Sequence, residues 1–293
     1  MGPSRRHCLI KATPLQLRCA DGTLLAAREY AGGEAGAVVI SAALGVPQGF
    51  YAAHAAWLAS LGYHVISFDN RGFGDSAKGG PIDLADWGRQ DLEALLRHAR
   101  SINPYHFLVG HSIGCQLPGL APSSQHLSGA VFVAGTAPNL RYYPWSQRPA
   151  LALLWYGLVP WFTRGRDSVA QSKLGLGKGP VLPSGAAAGW ARWARSHDYL
   201  FSPEHGLDLS GYAQVRAPIL AWNFADDTYA PKAASEALLR HYPAAAITRR
   251  GSEAQGSVGH FGYFREAHRD TLWRATADWL AQQSPNQQER ARA

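Results

Sequence analysis

Three cysteines in 293 residues are too few, and odd in number, for a disulfide framework. Cys8, Cys19 and Cys115 have no metal-like spacing either, so zinc binding is set aside and reduced thiols in a cytoplasmic protein are expected. Charge is also sparse, at 17% of residues, and no apolar run approaches the roughly 18 residues of a membrane span. Behind Arg5 and Arg6 there is no apolar stretch, so no secretory signal is expected. Gly2 follows Met1, but Arg6 stands where myristoylation needs Ser or Thr. Acidic residues are outnumbered 21 to 28, a net charge of +7. The basic residues are scattered, with only Arg5-Arg6 and Arg249-Arg250 adjacent, and no nucleic-acid motif accompanies them. An arginine-rich solvated surface is expected, not a nucleic-acid partner.

What the chain does have is material for a core. Its hydrophobic content of 46% suits one large α/β domain carrying an insertion. Strand signals at Ala37–Ser41, Tyr63–Phe68, Tyr105–Val109 and Gly129–Ala134 alternate with helical patterns at Phe50–Leu61 and Leu84–Arg100. This rhythm implies a mainly parallel sheet with helices on both faces. Two earlier strands, Pro14–Cys19 and Leu24–Tyr30, are joined by Ala20-Asp21-Gly22-Thr23 and predict an antiparallel hairpin. Between Pro138 and Gly211 the rhythm breaks. That stretch holds five tryptophans (Trp145, Trp155, Trp161, Trp190, Trp193) and helical patterns at Leu151–Phe162 and Ser184–Arg195. The α/β pattern resumes with a strand at Pro218–Phe224, a helix at Pro231–His241, a strand at Ala246–Arg249 and a helix at Arg265–Gln282. The expected organisation is a core of residues 1–137 and 212–283, an insertion at 138–211 and a frayed tail at 284–293.

Gly110-His111-Ser112-Ile113-Gly114 stands where a buried strand gives way to a helix expected from Ile113. A serine between two glycines at such a junction is the nucleophile-elbow pattern. The serine must occupy a strained turn that exposes its Oγ, and the residues two before and two after lie too close for side chains. A serine hydroxyl is a poor nucleophile and needs a histidine to take its proton and an acid to orient that histidine. Asp226 and Asp227 follow the strand ending at Phe224, at the kind of strand end where open α/β sheets place functional groups. His260, in Gly259-His260-Phe261-Gly262 after a Gly- and Ser-rich loop from Gly251 to Ser257, is the preferred histidine; His241 and His268 fall on predicted helices.

These segments, with Asp69-Asn70-Arg71-Gly72-Phe73-Gly74-Asp75-Ser76, resemble the α/β-hydrolase superfamily. More narrowly, Leu44-Gly45-Val46-Pro47-Gln48-Gly49-Phe50-Tyr51 and Trp190-Ala191-Arg192-Trp193 resemble a branch of bacterial hydrolases of unassigned substrate. The resemblance implies an α/β-hydrolase fold with a helical lid at 138–211 and a metal-free, cofactor-free serine hydrolase. Its acid stands four residues before a proline, which selects Asp227 because Pro231 follows; Asp226 becomes a neighbour capping the next helix. Asp69 and Arg71 become residues that pin a loop over the sheet. The oxyanion hole needs two backbone N–H groups. Ile113 supplies one, at a helix N-terminus, and Ala43 the other in place of the family's usual His-Gly loop, with Leu44 as the alternative. Cys115, where many relatives have glycine, is expected to pack as a small apolar residue. The expected reaction is carboxylic ester hydrolysis through an acyl-enzyme on Ser112, His260 and Asp227. Thioester or amide hydrolysis, acyl transfer and a non-catalytic binding role are the alternatives. Leu44, Trp190 and Trp193 are expected to contact a small acyl substrate with an apolar portion.

Overall fold

A computed structural model describes residues 10–76, 81–251 and 257–284. Arg5, Arg6, Cys8, most of the Gly251–Ser257 loop and the tail beyond Ser284 lie outside the described residues. An eight-stranded sheet organises the chain: β1 (Thr13–Arg18), β2 (Leu24–Tyr30), β3 (Gly36–Ser41), β4 (Tyr63–Phe68), β5 (His106–His111), β6 (Gly129–Val133), β9 (Ile219–Asn223) and β10 (Ile247–Gly251). Two short strands, β7 (Ser168–Val169) and β8 (Leu182–Pro183), pair apart from it. The main sheet runs in the order β1-β2-β4-β3-β5-β6-β9-β10. β1 and β2 form the expected antiparallel hairpin, β2 is antiparallel to β4, and every other pairing is parallel.

Side-chain alternation explains why both faces are covered. Leu108, Ala130, Phe132 and Ile219 enter one core with Leu92, Leu95 and Leu96. Phe107, Val109, Val131, Val133 and Leu220 enter the other, with Ala55, Leu58 and Leu280. The second face is closed by α1 (Ala52–Ser60) and α9 (Arg274–Gln282), the first by α2 (Glu93–Ile102). From β6 the chain leaves the sheet and returns at β9. In between lie α3 (Arg148–Ala152) and α4 (Val159–Thr163), joined by a π turn at Leu153–Leu158, then α5 (Ser184–Arg195) and α6 (Ser210–Gln214). α7 (Lys232–Leu239) and α8 (Gly259–Gly262) follow β9 and β10.

One expected element is missing. The helix predicted from Ile113 is replaced by separate 3-10 turns at Ser112–Cys115, Pro118–Leu120 and Pro122–His126. Pro118 and Pro122 account for this, since each lacks an N–H and clashes with a preceding carbonyl. The helix predicted from Leu84 enters through a π turn at Trp87–Leu92 before α2.

His54, on α1, is fully buried among Trp57, Tyr263, Phe264 and Trp273, and neither ring nitrogen has a partner among the described residues. Burial holds its pKa down to about 3. The unfolded chain therefore takes a proton near pH 6.5 that the folded one refuses. The group's contribution is complete above that pH and is lost as pH falls, at about 1.4 kcal/mol per pH unit. We expect the urea midpoint to drop between pH 6.5 and 4.5 and His54→Leu to reduce that slope. An equal slope in the variant would show that His54 does not carry it.

Candidate active site

The loop after β3, Ser112 after β5, Asp226 and Asp227 after β9 and His260 after β10 all lie at the C-terminal ends of parallel strands. Ser112 has φ +53°, one of three non-glycine residues in that region among the described residues. The flanking glycines are sterically required. A Cβ on Gly110 would sit 2.7 Å from the Gly114 carbonyl oxygen, and one on Gly114 would run into the Ser41 carbonyl.

His260 lies on the one-turn α8, and its Nδ1 donates to Asp227 Oδ2 at 2.8 Å. Both side chains are buried. The other carboxylate oxygen, Oδ1, accepts from the Tyr229 N–H at 2.8 Å and the Ala230 N–H at 3.0 Å. With the carboxylate able only to accept, the neutral imidazole carries its proton on Nδ1 and keeps Nε2 as its basic nitrogen. Asp226 does not cap α7 as expected. Its carboxylate instead accepts from the Gly259 N–H at 3.0 Å and Ser257 Oγ at 2.7 Å, which hold its pKa below the usual carboxylate range. The two neighbouring acids thus divide the work: one meets the imidazole, the other anchors the backbone just before it.

Ser112 and His260 open on one cavity of about 730 Å³, whose walls include Leu44, Phe50, Ile113, Leu154, Trp155 and Trp190. Among the described residues no group of three or more His, Cys, Asp or Glu could hold a metal ion.

The profile described as "Alpha/beta hydrolase family" matches residues 23–280. The chain belongs to the alpha/beta hydrolase family. No curated protein matches it by sequence. Among solved structures it is similar to DcsB in complex with its substrate analogue, at 17% identity and TM-score 0.65, over 94% of this chain and 100% of that one. It is also similar to a soluble variant of monoglyceride lipase from Saccharomyces cerevisiae, at 15% identity and TM-score 0.62, covering 97% and 99%. An esterase from Exiguobacterium antarcticum matches at 15% identity and TM-score 0.61, covering 92% and 99%. These likenesses concern the fold.

Within this alpha/beta hydrolase two expectations need correction. The Ala43 N–H, expected in the oxyanion hole, donates to Tyr51 Oη at 2.9 Å and is already committed. The Leu44 N–H has no such partner among the described residues, nor has that of Ile113. Trp190 lines the cavity, but Trp193, expected to contact substrate with it, does not: it is fully buried, edge-on to Tyr199. Residues three apart on a helix are offset by about 60°, enough here to turn one ring to the cavity and the other into the core.

Other expectations hold. Asp69 pins its loop, accepting from the Gln48 N–H at 2.8 Å and the Asp75 N–H at 3.0 Å. Arg71 pairs with Asp91 and Asp21, both at 2.6 Å. Cys115 is fully buried, and desolvation pushes its thiol pKa far up.

Three links lay outside the sequence reading. His111 is fully buried, and its Nε2 lies 2.9 Å from the His260 carbonyl oxygen, which can only accept. Desolvation foremost keeps this histidine neutral, with its pKa well below the ordinary value. Its Nδ1 must therefore accept from Tyr51 Oη at 2.9 Å, while that hydroxyl accepts the Ala43 N–H. A single buried chain of hydrogen bonds thus ties the loop after β3 to the backbone of His260. Gln171, also buried, donates from Nε2 to the carbonyls of Gly45 at 2.9 Å and Pro180 at 2.8 Å. Tyr143 Oη donates to the Tyr229 carbonyl at 2.8 Å, steadying the Asp227 loop.

Proposed function

We propose that this alpha/beta hydrolase cleaves carboxylic esters through an acyl-enzyme on Ser112. The observation that carries the reading is the 2.8 Å His260–Asp227 hydrogen bond beside a strained, cavity-lining Ser112. Ser112 Oγ attacks the ester carbonyl as His260 Nε2 takes its proton, and Asp227 steadies the imidazolium. The N–H groups of Ile113 and Leu44 receive the developing oxyanion. Collapse expels the alcohol, protonated by His260. Water then attacks the acyl-enzyme with His260 again as base, releasing the acid and restoring Ser112. Residues 138–211 act as the lid, and Trp190, Leu154 and Leu44 favour an apolar acyl or alcohol group.

A fluorophosphonate probe tests the nucleophile directly. Wild-type protein should be labelled on Ser112, and Ser112→Ala should not be labelled. An unlabelled wild type, or an equally labelled variant, would remove Ser112 from the mechanism. Running p-nitrophenyl esters, acyl-CoAs and aminoacyl amides in parallel then separates ester from thioester and amide cleavage.

A further inference from the structure

The stretch Leu151–Phe162, LALLWYGLVPWF, contains no charged or amide side chain in its twelve residues. A helix apolar all round is ordinarily enclosed on every side. This one is not. Its inner face, through Leu151, Leu154 and Trp155, borders the Ser112 cavity. Its outer face leaves Leu153 59%, Tyr156 57% and Trp161 75% exposed, and Trp145, just before the helix, is 81% exposed.

Charge is gathered around the same face. Residues 138–211 contain eight Lys and Arg against four acids, Asp167, Asp198, Glu204 and Asp208, a net of +4. Arg141 lies 3.9 Å from Asp198 and Arg192 4.0 Å from Asp83, which leaves Arg148, Arg164, Arg166, Lys173, Lys178 and Arg195 without an ion pair among the described residues. Three of these cations lie on aromatic rings of the segment: Arg148 over Trp145 at 3.9 Å, Lys173 over Phe162 at 5.5 Å and Arg195 over Tyr156 at 5.7 Å. Arg164 and Arg166 end the helix.

We propose that this outer face docks on an anionic lipid bilayer, with Trp145, Leu153, Tyr156 and Trp161 entering the interface and the basic residues meeting lipid phosphates. Aromatic rings with an apolar body and a wet edge, flanked by cations, suit the headgroup boundary. A second copy of the chain fits poorly, because a two-fold contact would bring one set of unpaired cations (Arg148, Arg164, Arg166, Lys173) against another. No helix among the described residues is long and apolar enough to cross a membrane, so the contact is peripheral. The inference rests on the surface alone and not on the reaction assigned to Ser112.

Co-sedimentation with vesicles of equal parts phosphatidylcholine and phosphatidylglycerol tests it. The protein should bind these and not pure phosphatidylcholine. Binding should weaken by tenfold or more when salt rises from about 0.1 to about 1 M, which shortens the screening length from about 10 to about 3 Å. Arg164→Gln/Lys173→Gln should cost roughly 30-fold at about fivefold per charge, and Leu153→Ser/Trp161→Ser roughly tenfold or more. Both variants change exposed side chains and should keep the wild-type thermal midpoint. In the unmodified protein, brominated phosphatidylglycerol should quench tryptophan fluorescence, a readout that needs no variant. Absence of binding or quenching, equal binding to neutral vesicles, or a dimer that Leu153→Ser/Trp161→Ser dissolves would each overturn the proposal.

Discussion

Ser112→Ala should lower kcat on a short-chain p-nitrophenyl ester by on the order of 10³-fold or more, with the thermal midpoint kept. His260→Ala should lose about as much, and the double variant scarcely more than either single one. A nucleophile without its base and a base without its nucleophile are equally idle, so their losses do not add. Ser112 already carries a strained φ of +53°, and alanine at the same φ keeps that strain while removing only Oγ. The folded protein should therefore survive the change. Retention of half the activity by Ser112→Ala would rule out the acyl-enzyme route.

Asp227→Asn should be almost as damaging, by on the order of 10³- to 10⁴-fold in kcat, with KM little changed. The hydrogen bonds say why. Oδ1 is held by two N–H donors, from Tyr229 and Ala230, so an asparagine must keep its oxygen there and turn its NH2 toward His260. The imidazole then has to accept on Nδ1 and carry its proton on Nε2, the nitrogen that should receive the serine proton. Reversing the amide sets NH2 against two N–H donors instead. Asp226→Asn meets no such conflict, because one oxygen can still accept from the Gly259 N–H. Its loss should stay within about tenfold. A larger loss at Asp226 than at Asp227 would reassign the acid.

Most of the sheet was legible because its signals are local: alternating apolar runs, turn residues and strand-helix spacing lie within a few residues of one another. The elbow was legible for a related reason. The crowding that requires Gly110 and Gly114 comes from Gly114 itself and from the strand paired beside β5. The elbow pattern predicts a helix after Ser112, but Pro118 and Pro122, also local signals, break the chain there into 3-10 turns. Ala43 failed as an oxyanion donor for a different cause. The group occupying its N–H, Tyr51 Oη, belongs to a side chain whose role depends on His111, 60 residues away. Gln171, reaching Gly45 across 126 residues, leaves no trace in any local pattern. Trp190 and Trp193 could be placed on one helix, but which ring met the cavity depended on what packed against each.

The broken helix after Ser112 has a consequence for exchanging parts between relatives. Carbonyls that a regular helix would satisfy internally are met here by tyrosines. Tyr242 Oη donates to the Cys115 carbonyl and Tyr212 Oη to the Gln116 carbonyl, while Tyr199 Oη holds the Gln116 side chain through its Oε1. Tyr199 and Tyr212 lie on the excursion between β6 and β9, so that excursion is part of the scaffold beneath the nucleophile as well as a wall of its cavity. A chimera that replaces it with another hydrolase's segment would strip buried acceptors of their partners. Specificity in this protein is better altered residue by residue than by transplanting the excursion as a cassette.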